Sequence, residues 1–137
     1  MDMKNLPNQH DCKIAVIGLG YVGLPLAIEF ASREICFRTR KKLNRKIIGF
    51  DINKDRINDL KIGLDKTNEV EESKLKKLTN ISFNSEENSL LEANVFIVTV
   101  PTPIDSSKSP DLSLIKKACK LIGNIIKNST SKYCPIV

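Results

Sequence analysis

The stretch KIAVIGLGYVG, residues 13–23, decides the fold of this chain. Its first half, residues 13–17, is a short apolar run rich in β-branched side chains, which is typical of a buried strand. A glycine pattern of the form G-x-G-x-x-G follows at once, and the residues after it have helical spacing. A strand, a glycine-rich turn and a helix in this order predict the phosphate-binding unit of a dinucleotide-binding fold.

Each glycine of this pattern has its own physical task. Gly18 permits a tight turn, Gly20 lets the backbone approach a pyrophosphate, and Gly23 allows the helix to pack closely on the strand. The free N–H groups at the start of the helix attract phosphate oxygens. The sequence therefore predicts a cofactor site here, and a glycine-rich turn without a ligand is the alternative.

An acidic residue supports the cofactor interpretation. A second strand, residues 46–51, ends in Asp51, where a carboxylate accepts hydrogen bonds from the ribose hydroxyls of adenosine. A carboxylate in that place repels a 2′-phosphate, so the sequence predicts NAD rather than NADP. Lys54 and Arg56 follow closely, and their positive charges weaken this preference.

The remaining patterns alternate between strand and helix, which predicts an α/β Rossmann-type, doubly wound parallel sheet. Further strands are expected at residues 81–83, 94–100 and 133–137, and helical segments at 21–33, 53–64, 71–78, 86–91 and after 109. We interpret residues 1–12 as a polar tail. Residues 13–137 are expected to be an incomplete NAD-binding domain, truncated in its fifth strand.

Apolar spacing predicts which helical faces are buried. The first helix is expected to bury Leu26, Ala27, Phe30 and Ala31. The last helix is expected to begin with Ser109 as its cap, Pro110 in the first position and Asp111 in the first turn. Cys119 lies on the apolar stripe of that helix and is expected to be buried.

The charge of the chain is concentrated in one segment. The net charge is +6, and residues 33–46 contain seven basic residues and one acid. The interval from Gly18 to Asp51 exceeds the usual ~20 residues, so we interpret 36–45 as an inserted loop. We expect residues 33–45 to form an exposed, mobile excursion outside the nucleotide site. Nucleic-acid binding is an alternative that we do not favour, because no aromatic platform accompanies the charge.

Composition also limits the location and chemistry of the chain. No apolar run is long enough to cross a bilayer, and the polar N-terminus lacks the apolar stretch of a secretory signal, so a cytoplasmic location is expected and no membrane partner. The four cysteines, Cys12, Cys36, Cys119 and Cys134, show no C-x-x-C spacing, so we expect no metal site and no disulfide framework. The single histidine, His10, lies in the polar tail with no evident partner. No residue is therefore predicted to be catalytic, and the chain by itself is expected to turn nothing over.

Three motifs together resemble the UDP-glucose/GDP-mannose dehydrogenase family. They are IGLGYVGLP at residues 17–25, GFDIN at 49–53, and VTVPTP at 98–103 followed by PDLS at 110–113. The form V-P-T-P with P-D-L-S is most similar to the branch that acts on UDP-N-acetylhexosamines. That branch makes uronates for bacterial surface polysaccharides.

The resemblance implies an NAD site and names its residues. Tyr21 and Val22 match backbone contacts to the pyrophosphate, beside the three glycines. Asp51 matches the ribose ligand, Arg56 a neighbour of the adenosine end, and Thr102 a cofactor contact in the loop after the fourth strand. Alternatively, Thr102 only caps its turn and Arg56 is a solvated helix residue.

The resemblance also implies an activity. In the family, a sugar 6-hydroxyl is oxidised in two steps to a carboxylate with two NAD, through a thioester on a cysteine that a Lys and an Asn assist. Those residues lie in a later part of the family's chain, so the resemblance implies that residues 1–137 lack the central and UDP-sugar-binding domains. The full-length enzymes are expected to be homodimers. A free-standing NAD-binding module that senses the cofactor without catalysis is the competing hypothesis. The unfinished sheet argues against it, because an exposed strand edge invites association.

Overall fold

A four-stranded parallel sheet with the strand order β3-β2-β1-β4 forms the centre of the computed structural model, which describes residues 5–129, 131 and 133–137. The strands are β1 (Lys13–Ile17), β2 (Lys46–Phe50), β3 (Ile81–Asn84) and β4 (Val95–Val98). The helices are α1 (Gly23–Ser32), α2 (Lys54–Lys61), α3 (Glu72–Lys77) and α4 (Ser113–Asn128), and a 3₁₀ turn spans Glu87–Leu90. The predicted doubly wound α/β architecture is confirmed.

The strand order places a switch point beside β1. The chain steps outward from β1 to β2 and β3, and then crosses back to add β4 on the other side of β1. In register, Ile17 pairs with Phe50 on one side and with Val98 on the other. Gly18 therefore leaves β1 at the carboxyl edge of the sheet, between its two neighbours, where ligands of such sheets bind.

Both faces of the sheet are covered, as the continuous apolar strands indicate. Alternate residues of β1 point to opposite faces: Ile14 and Val16 join α1, α2 and α3, whereas Ala15 and Ile17 join α4 and the 3₁₀ turn. None of the helices within the described ranges is long and apolar enough to span a membrane.

Helix α1 buries a different face from the predicted one. Its buried residues are Gly23, Leu24, Ala27, Ile28 and Ala31. Ala27 and Ala31 are confirmed, but Leu26 and Phe30 are only half-buried. The prediction was wrong in phase because two overlapping apolar stripes fit the helical spacing, and the close contact at Gly23 selects the stripe that contains Leu24 and Ile28.

Helix α4 begins later than predicted and exposes its cysteine. Ser113 is its first residue, and Asp111 Oδ1 accepts a hydrogen bond from the Ser113 backbone N–H at 2.9 Å. Ser109 and Pro110 instead belong to the preceding loop, where Pro110 bridges to Ile104. The prediction that Cys119 is buried is wrong: the buried positions are Ala118, Ile122 and Ile125, one residue out of phase with it.

The predicted fifth strand is represented by one parallel bridge. Ile136 pairs with Val95, and its backbone N–H donates to Asn94 O at 3.0 Å while its carbonyl accepts from Phe96 N at 2.8 Å. The segment therefore lies beside β4, on the side where the next strand of this topology belongs. Cys134 in this segment is exposed.

The basic segment is a small hairpin, and we call residues 35–42 the basic hairpin. Ile35 and Lys42 form an antiparallel bridge, and the backbone N–H of Cys36 donates to Lys41 O at 2.8 Å. Most residues of the predicted excursion, 33–45, are exposed as expected, and Phe37 at the tip is 82% exposed, but Cys36 and Leu43 are buried. The hairpin precedes β2 and therefore lies at the amino edge of the sheet, away from Gly18.

The N-terminal segment packs on the basic hairpin. His10 Nε2 lies 2.7 Å from Thr39 Oγ1, and His10 Nδ1 lies 3.0 Å from Asn8 Oδ1. The backbone carbonyl of His10 also accepts a hydrogen bond from Asn44 N at 2.6 Å. The prediction that His10 has no partner is wrong, because residues distant in sequence meet at this edge. Residues 1–4 of the predicted tail lie outside the described residues.

Candidate functional site: the glycine-rich turn and its supports

The turn after β1 depends on glycine at its first position. Gly18 has φ +94, a conformation that L side chains rarely adopt. Its backbone N–H donates to Phe50 O at 2.8 Å, so the turn is tied to the end of β2. A Cβ on Gly18 would lie 3.0 Å from the carbonyl oxygen of Thr99, which follows β4. The turn is therefore enclosed by the ends of both neighbouring strands.

Gly23 sets the distance between α1 and the strands. A Cβ at this position would collide with the carbonyl oxygen of Gly18 and with the hydroxyl of Thr99. The Thr99 hydroxyl donates to Gly18 O at 2.7 Å, and its oxygen lies 3.1 Å from Ile17 O. Thr99 thus occupies the space that the missing side chain of Gly23 leaves, and it fixes the turn against β4.

Gly20 faces open space. No heavy atom lies within 4 Å of a Cβ built on it, in contrast to Gly18 and Gly23. Tyr21 and Val22, which follow it, are exposed, and no side chain caps the N-terminus of α1. The N–H of Leu24 donates to Gly20 O at 3.1 Å and Pro25 has no N–H, so an anion would bind to the N–H groups of residues 21–23. This open, uncapped segment has the shape and polarity that a pyrophosphate requires.

Asp51 lies at the end of β2 as predicted, and it also supports the turn. Its Oδ2 accepts from the backbone N–H of Leu19 at 2.8 Å, and its Oδ1 accepts from the backbone N–H of Asn53 at 2.9 Å. Each carboxylate oxygen has two acceptor positions, so one on each remains for a ribose hydroxyl. Asp51 is half-buried, which leaves it accessible from the carboxyl edge.

Arg56 is not the solvated helix residue of the alternative interpretation. Its side chain is only 11% exposed. Its guanidinium donates to Leu19 O from Nε at 3.0 Å, to Asp65 Oδ1 from Nη1 at 2.7 Å, and to Thr67 Oγ1 from Nη2 at 3.2 Å. Both backbone polar groups of Leu19 are therefore bound by side chains: Asp51 accepts from its N–H, and Arg56 donates to its C=O.

Asp65 is a buried carboxylate in the loop after α2, and sequence reasoning missed it. Its side chain is 1% exposed, and besides Arg56 it accepts from the backbone N–H groups of Thr67, Glu69 and Val70 at 2.8 to 3.0 Å. Burial raises the pKa of Asp65, but the hydrogen bonds from Thr67 and Arg56 outweigh it and lower the pKa to about 2. Asp65 is therefore charged at neutral pH.

The loop after β4 contributes Thr99 directly, whereas Thr102 remains a prediction. Thr102 is exposed in a loop that begins at Pro101, and Thr99 is the residue that contacts the glycine turn. A hydroxyl in an otherwise apolar strand is the sequence signal that would have identified Thr99. For Asp65 the available signal is D-x-T at the end of a helix, where an acidic side chain bonds the backbone two residues on.

The structure thus accommodates a dinucleotide at this edge. Gly20 leaves room for a pyrophosphate, α1 offers its uncapped N-terminus, and Asp51 retains acceptor positions for a ribose. Within the described part of the chain, no group of three or more histidine, cysteine or acidic side chains is placed to hold a metal ion.

Comparison with known proteins identifies the family to which this fold belongs. The chain matches the model of the UDP-glucose/GDP-mannose dehydrogenase family, NAD binding domain, over residues 12–132. A UDP-N-acetyl-D-glucosamine 6-dehydrogenase of Pseudomonas aeruginosa is 48% identical over 117 residues, and one of Salmonella typhi is 43% identical over 116 residues. Each alignment covers 85% of this chain and 25% of the relative.

Solved structures agree with the sequence comparison. A UDP-D-ManNAc dehydrogenase from Pyrococcus horikoshii is 30% identical with a TM-score of 0.70, over 82% of this chain and 25% of that one. A GDP-mannose dehydrogenase from Pseudomonas aeruginosa, solved as a ternary complex, is 25% identical with a TM-score of 0.72, over 86% of this chain and 26% of that one. The chain therefore spans about a quarter of the length of these relatives. It belongs to the UDP-glucose/GDP-mannose dehydrogenase family and corresponds to that family's NAD-binding domain.

Proposed function

We propose that this chain is the cofactor-binding part of an NAD-dependent nucleotide-sugar 6-dehydrogenase. The observation that carries the proposal is the glycine turn, in which Gly20 is open while Asp51 retains acceptor positions beside it. NAD, when bound, accepts the hydride that leaves the sugar carbon. The residues of this chain bind and orient the cofactor: backbone N–H groups near Tyr21 and Val22 hold the pyrophosphate, and Asp51 holds the ribose. Thr102 and Arg56 border the same cofactor.

We further propose that the substrate of the whole enzyme is a UDP-N-acetylhexosamine, whose C6 hydroxyl becomes a carboxylate. The relatives named UDP-N-acetyl-D-glucosamine 6-dehydrogenase, at 43 to 48% identity, support this branch. A relative named UDP-N-acetyl-D-mannosamine dehydrogenase, from Escherichia coli, is 31% identical. The whole enzyme is proposed to be cytoplasmic and homodimeric, with neither nucleic acid nor membrane as a partner. An NAD-sensing module without catalysis is the competing function.

The selectivity for NAD over NADP follows from Asp51. A 2′-phosphate on the ribose would meet this carboxylate, and two anions in a partly desolvated site repel each other. The cations that the sequence places nearby give little compensation. Arg56 is paired with Asp65, and Lys54 Nζ lies 3.7 Å from Glu86 Oε1 on an exposed surface.

Cofactor binding is testable on the chain itself. The chain contains no tryptophan, so NADH fluorescence or calorimetry reports binding without interference from protein fluorescence. We expect one saturable NADH site, and we expect Asp51→Asn to weaken binding by about tenfold, the value of a lost charge-assisted hydrogen bond. Asp55→Asn is the matched control, because it removes an exposed acid from the first turn of α2. Equal effects of the two substitutions, or no NADH binding, would contradict the proposal.

Turnover separates the two candidate functions. We expect the 137-residue chain to produce no NADH from NAD and UDP-N-acetylglucosamine or its galacto and manno epimers. Cys12 is buried, and burial raises its pKa. Hydrogen bonds from Thr39 lower the pKa of Cys36, but Cys36 lies in the basic hairpin at the amino edge, away from the glycine turn. The protein that carries this domain together with the remaining three quarters of the family's length is expected to form two NADH per sugar. Sugar-dependent NADH production by the chain alone would overturn the assignment of catalysis to the other part.

A further inference from the structure

The Arg56–Asp65 pair carries an inference beyond cofactor binding. Arg56 lies one helical turn after Asp51, which is where a cation that accepts the 2′-phosphate of NADP often lies. Arg56 and Asp51 bind the two backbone polar groups of one residue, Leu19: the guanidinium donates to its C=O at 3.0 Å, and the carboxylate accepts from its N–H at 2.8 Å. The guanidinium is therefore close to the ribose end of the site, and its charge acts on whatever binds there.

Asp65 determines where that charge is directed. Its Oδ1 accepts from Arg56 Nη1 at 2.7 Å, and Thr67 Oγ1 accepts from Nη2 at 3.2 Å. Because Asp65 is almost inaccessible to solvent and Arg56 is 11% exposed, the attraction between them is screened little by water or salt. The pair is electrically neutral as a unit, and the planar guanidinium is turned toward the loop of residues 65–70.

We propose that Asp65 is a second determinant of NAD over NADP selectivity, acting through Arg56. By pairing with the guanidinium, Asp65 withdraws from a 2′-phosphate the cation that lies beside Leu19. Asp51 repels the phosphate directly, whereas Asp65 removes the charge that would compensate for this repulsion. Asp65 does not touch the ribose in this scheme and is a positioning residue. The inference rests on the proposed binding of NAD to this site.

Selectivity is the readout that distinguishes this role from structural support. We measure the dissociation constants of NADH and NADPH for the 137-residue chain by calorimetry at fixed salt, and compare their ratio. Asp65→Asn frees the charge of Arg56, so we expect the ratio of the NADPH to the NADH constant to fall by about tenfold, the effect of one charged hydrogen bond. A residue that only supports the loop would weaken both cofactors in parallel.

Matched variants separate the pair from a general change of charge. Asp59→Asn removes an acid from α2, the helix that carries Arg56. Asp59 Oδ2 pairs with Lys66 Nζ at 2.7 Å and not with Arg56. We expect its selectivity ratio to stay within about twofold of the wild type, as for a surface ion pair. The double variant Asp65→Asn/Arg56→Met removes both charges of the pair, and we expect it to restore the wild-type ratio. Measured together with the single variant Arg56→Met, it completes a double-mutant cycle.

A milder variant preserves the test if Asp65→Asn does not fold. Thr67→Val removes the hydroxyl that accepts from Arg56 Nη2 and donates to Asp65 Oδ1 at 2.7 Å. Thr67 is exposed and the Arg56–Asp65 pair itself stays intact, so folding is expected to be preserved. We expect the ratio to shift toward NADPH by a smaller factor, about threefold, because the pair loses one neutral group that holds it in place.

Three results would overturn the inference. They are an equal loss of affinity for NADH and NADPH in Asp65→Asn, a change of the ratio in Asp59→Asn as large as in Asp65→Asn, and a changed ratio that persists in the double variant without Arg56. Failure of the wild-type chain to bind NADH would instead contradict the proposed function itself, and the inference with it.

Discussion

The two edges of the sheet are both tied together by polar side chains, but in different ways. At the carboxyl edge, the partly buried side chains of Thr99, Asp51 and Arg56, together with the buried Asp65, hold the backbone of the glycine turn. At the amino edge, Glu92 forms exposed ion pairs with Lys13 and Lys46, the first residues of β1 and β2. The difference shows that the less exposed polar contacts of the two sets lie at the edge where we propose that the cofactor binds.

The largest expected effect is a loss of stability when a side chain is added at Gly23. Gly23→Ala places a methyl group against Gly18 O and the Thr99 hydroxyl, and both belong to the rigid end of the sheet. We expect the free energy of unfolding to fall by about 3 kcal/mol, at the upper end of overpacking effects. Urea denaturation followed by circular dichroism measures it.

Gly20→Ala is the matched control for this substitution. Its Cβ meets no protein atom within 4 Å, so the stability is expected to stay within about 0.5 kcal/mol of the wild type. Its methyl group enters the space where the pyrophosphate approaches the backbone, so NADH affinity is expected to fall by about tenfold or more. If both variants were equally destabilised, or if Gly20→Ala bound NADH normally, the roles given to these glycines would be wrong.

Acid sensitivity is the next largest effect, and it compares the two edges directly. The pKa of Asp65 is lowered from 3.8 to about 2, so its stabilising contribution is present above pH 4 and is lost as the pH falls through 2. We expect the unfolding free energy to decrease between pH 4 and pH 2 by about 2 kcal/mol more in the wild type than in Asp65→Asn. Urea denaturation at a series of pH values measures the two slopes.

Glu92→Gln provides the amino-edge counterpart. Hydrogen bonds from Lys13 and Lys46 lower the pKa of Glu92, but its side chain is 44% exposed and water screens the pairs. We expect the pH dependence of this variant to follow the wild type closely. A loss of acid sensitivity as large as that of Asp65→Asn would show that the two edges are equivalent.

The smallest expected effect concerns the basic hairpin. Its cations lie at the amino edge, separated from the glycine turn by the length of a five-residue strand, about 16 Å. That distance is about twice the Debye length of ~8 Å at physiological salt. Replacing Arg38, Lys41 and Lys42 by Gln is therefore expected to change NADH affinity by less than about twofold. A tenfold loss in the folded variant would place the hairpin at the cofactor site.

The positions of the strands were accessible from the sequence, whereas the phase of the helices and the contacts of the basic hairpin were not. β1 was predicted to the residue, because a continuous apolar run before a glycine pattern has few other interpretations. In α1, the stripes through Leu24 and through Leu26 fit the helical period equally well, so packing at Gly23 had to decide between them. The contact between the hairpin and the N-terminal segment was missed, because nothing in the local pattern shows that Thr39 meets His10.

The cofactor site divides in the same way. The sequence by itself was enough to predict the glycine turn, Asp51 and the family. Each of these predictions depends only on the spacing of nearby residues and on strands that run parallel. Only the tertiary structure decided that Thr99 fills the space beside Gly23, and that Arg56 is paired with Asp65. These contacts join segments that are separated along the chain, and the partner of a charged side chain depends on which atoms folding brings within hydrogen-bond distance.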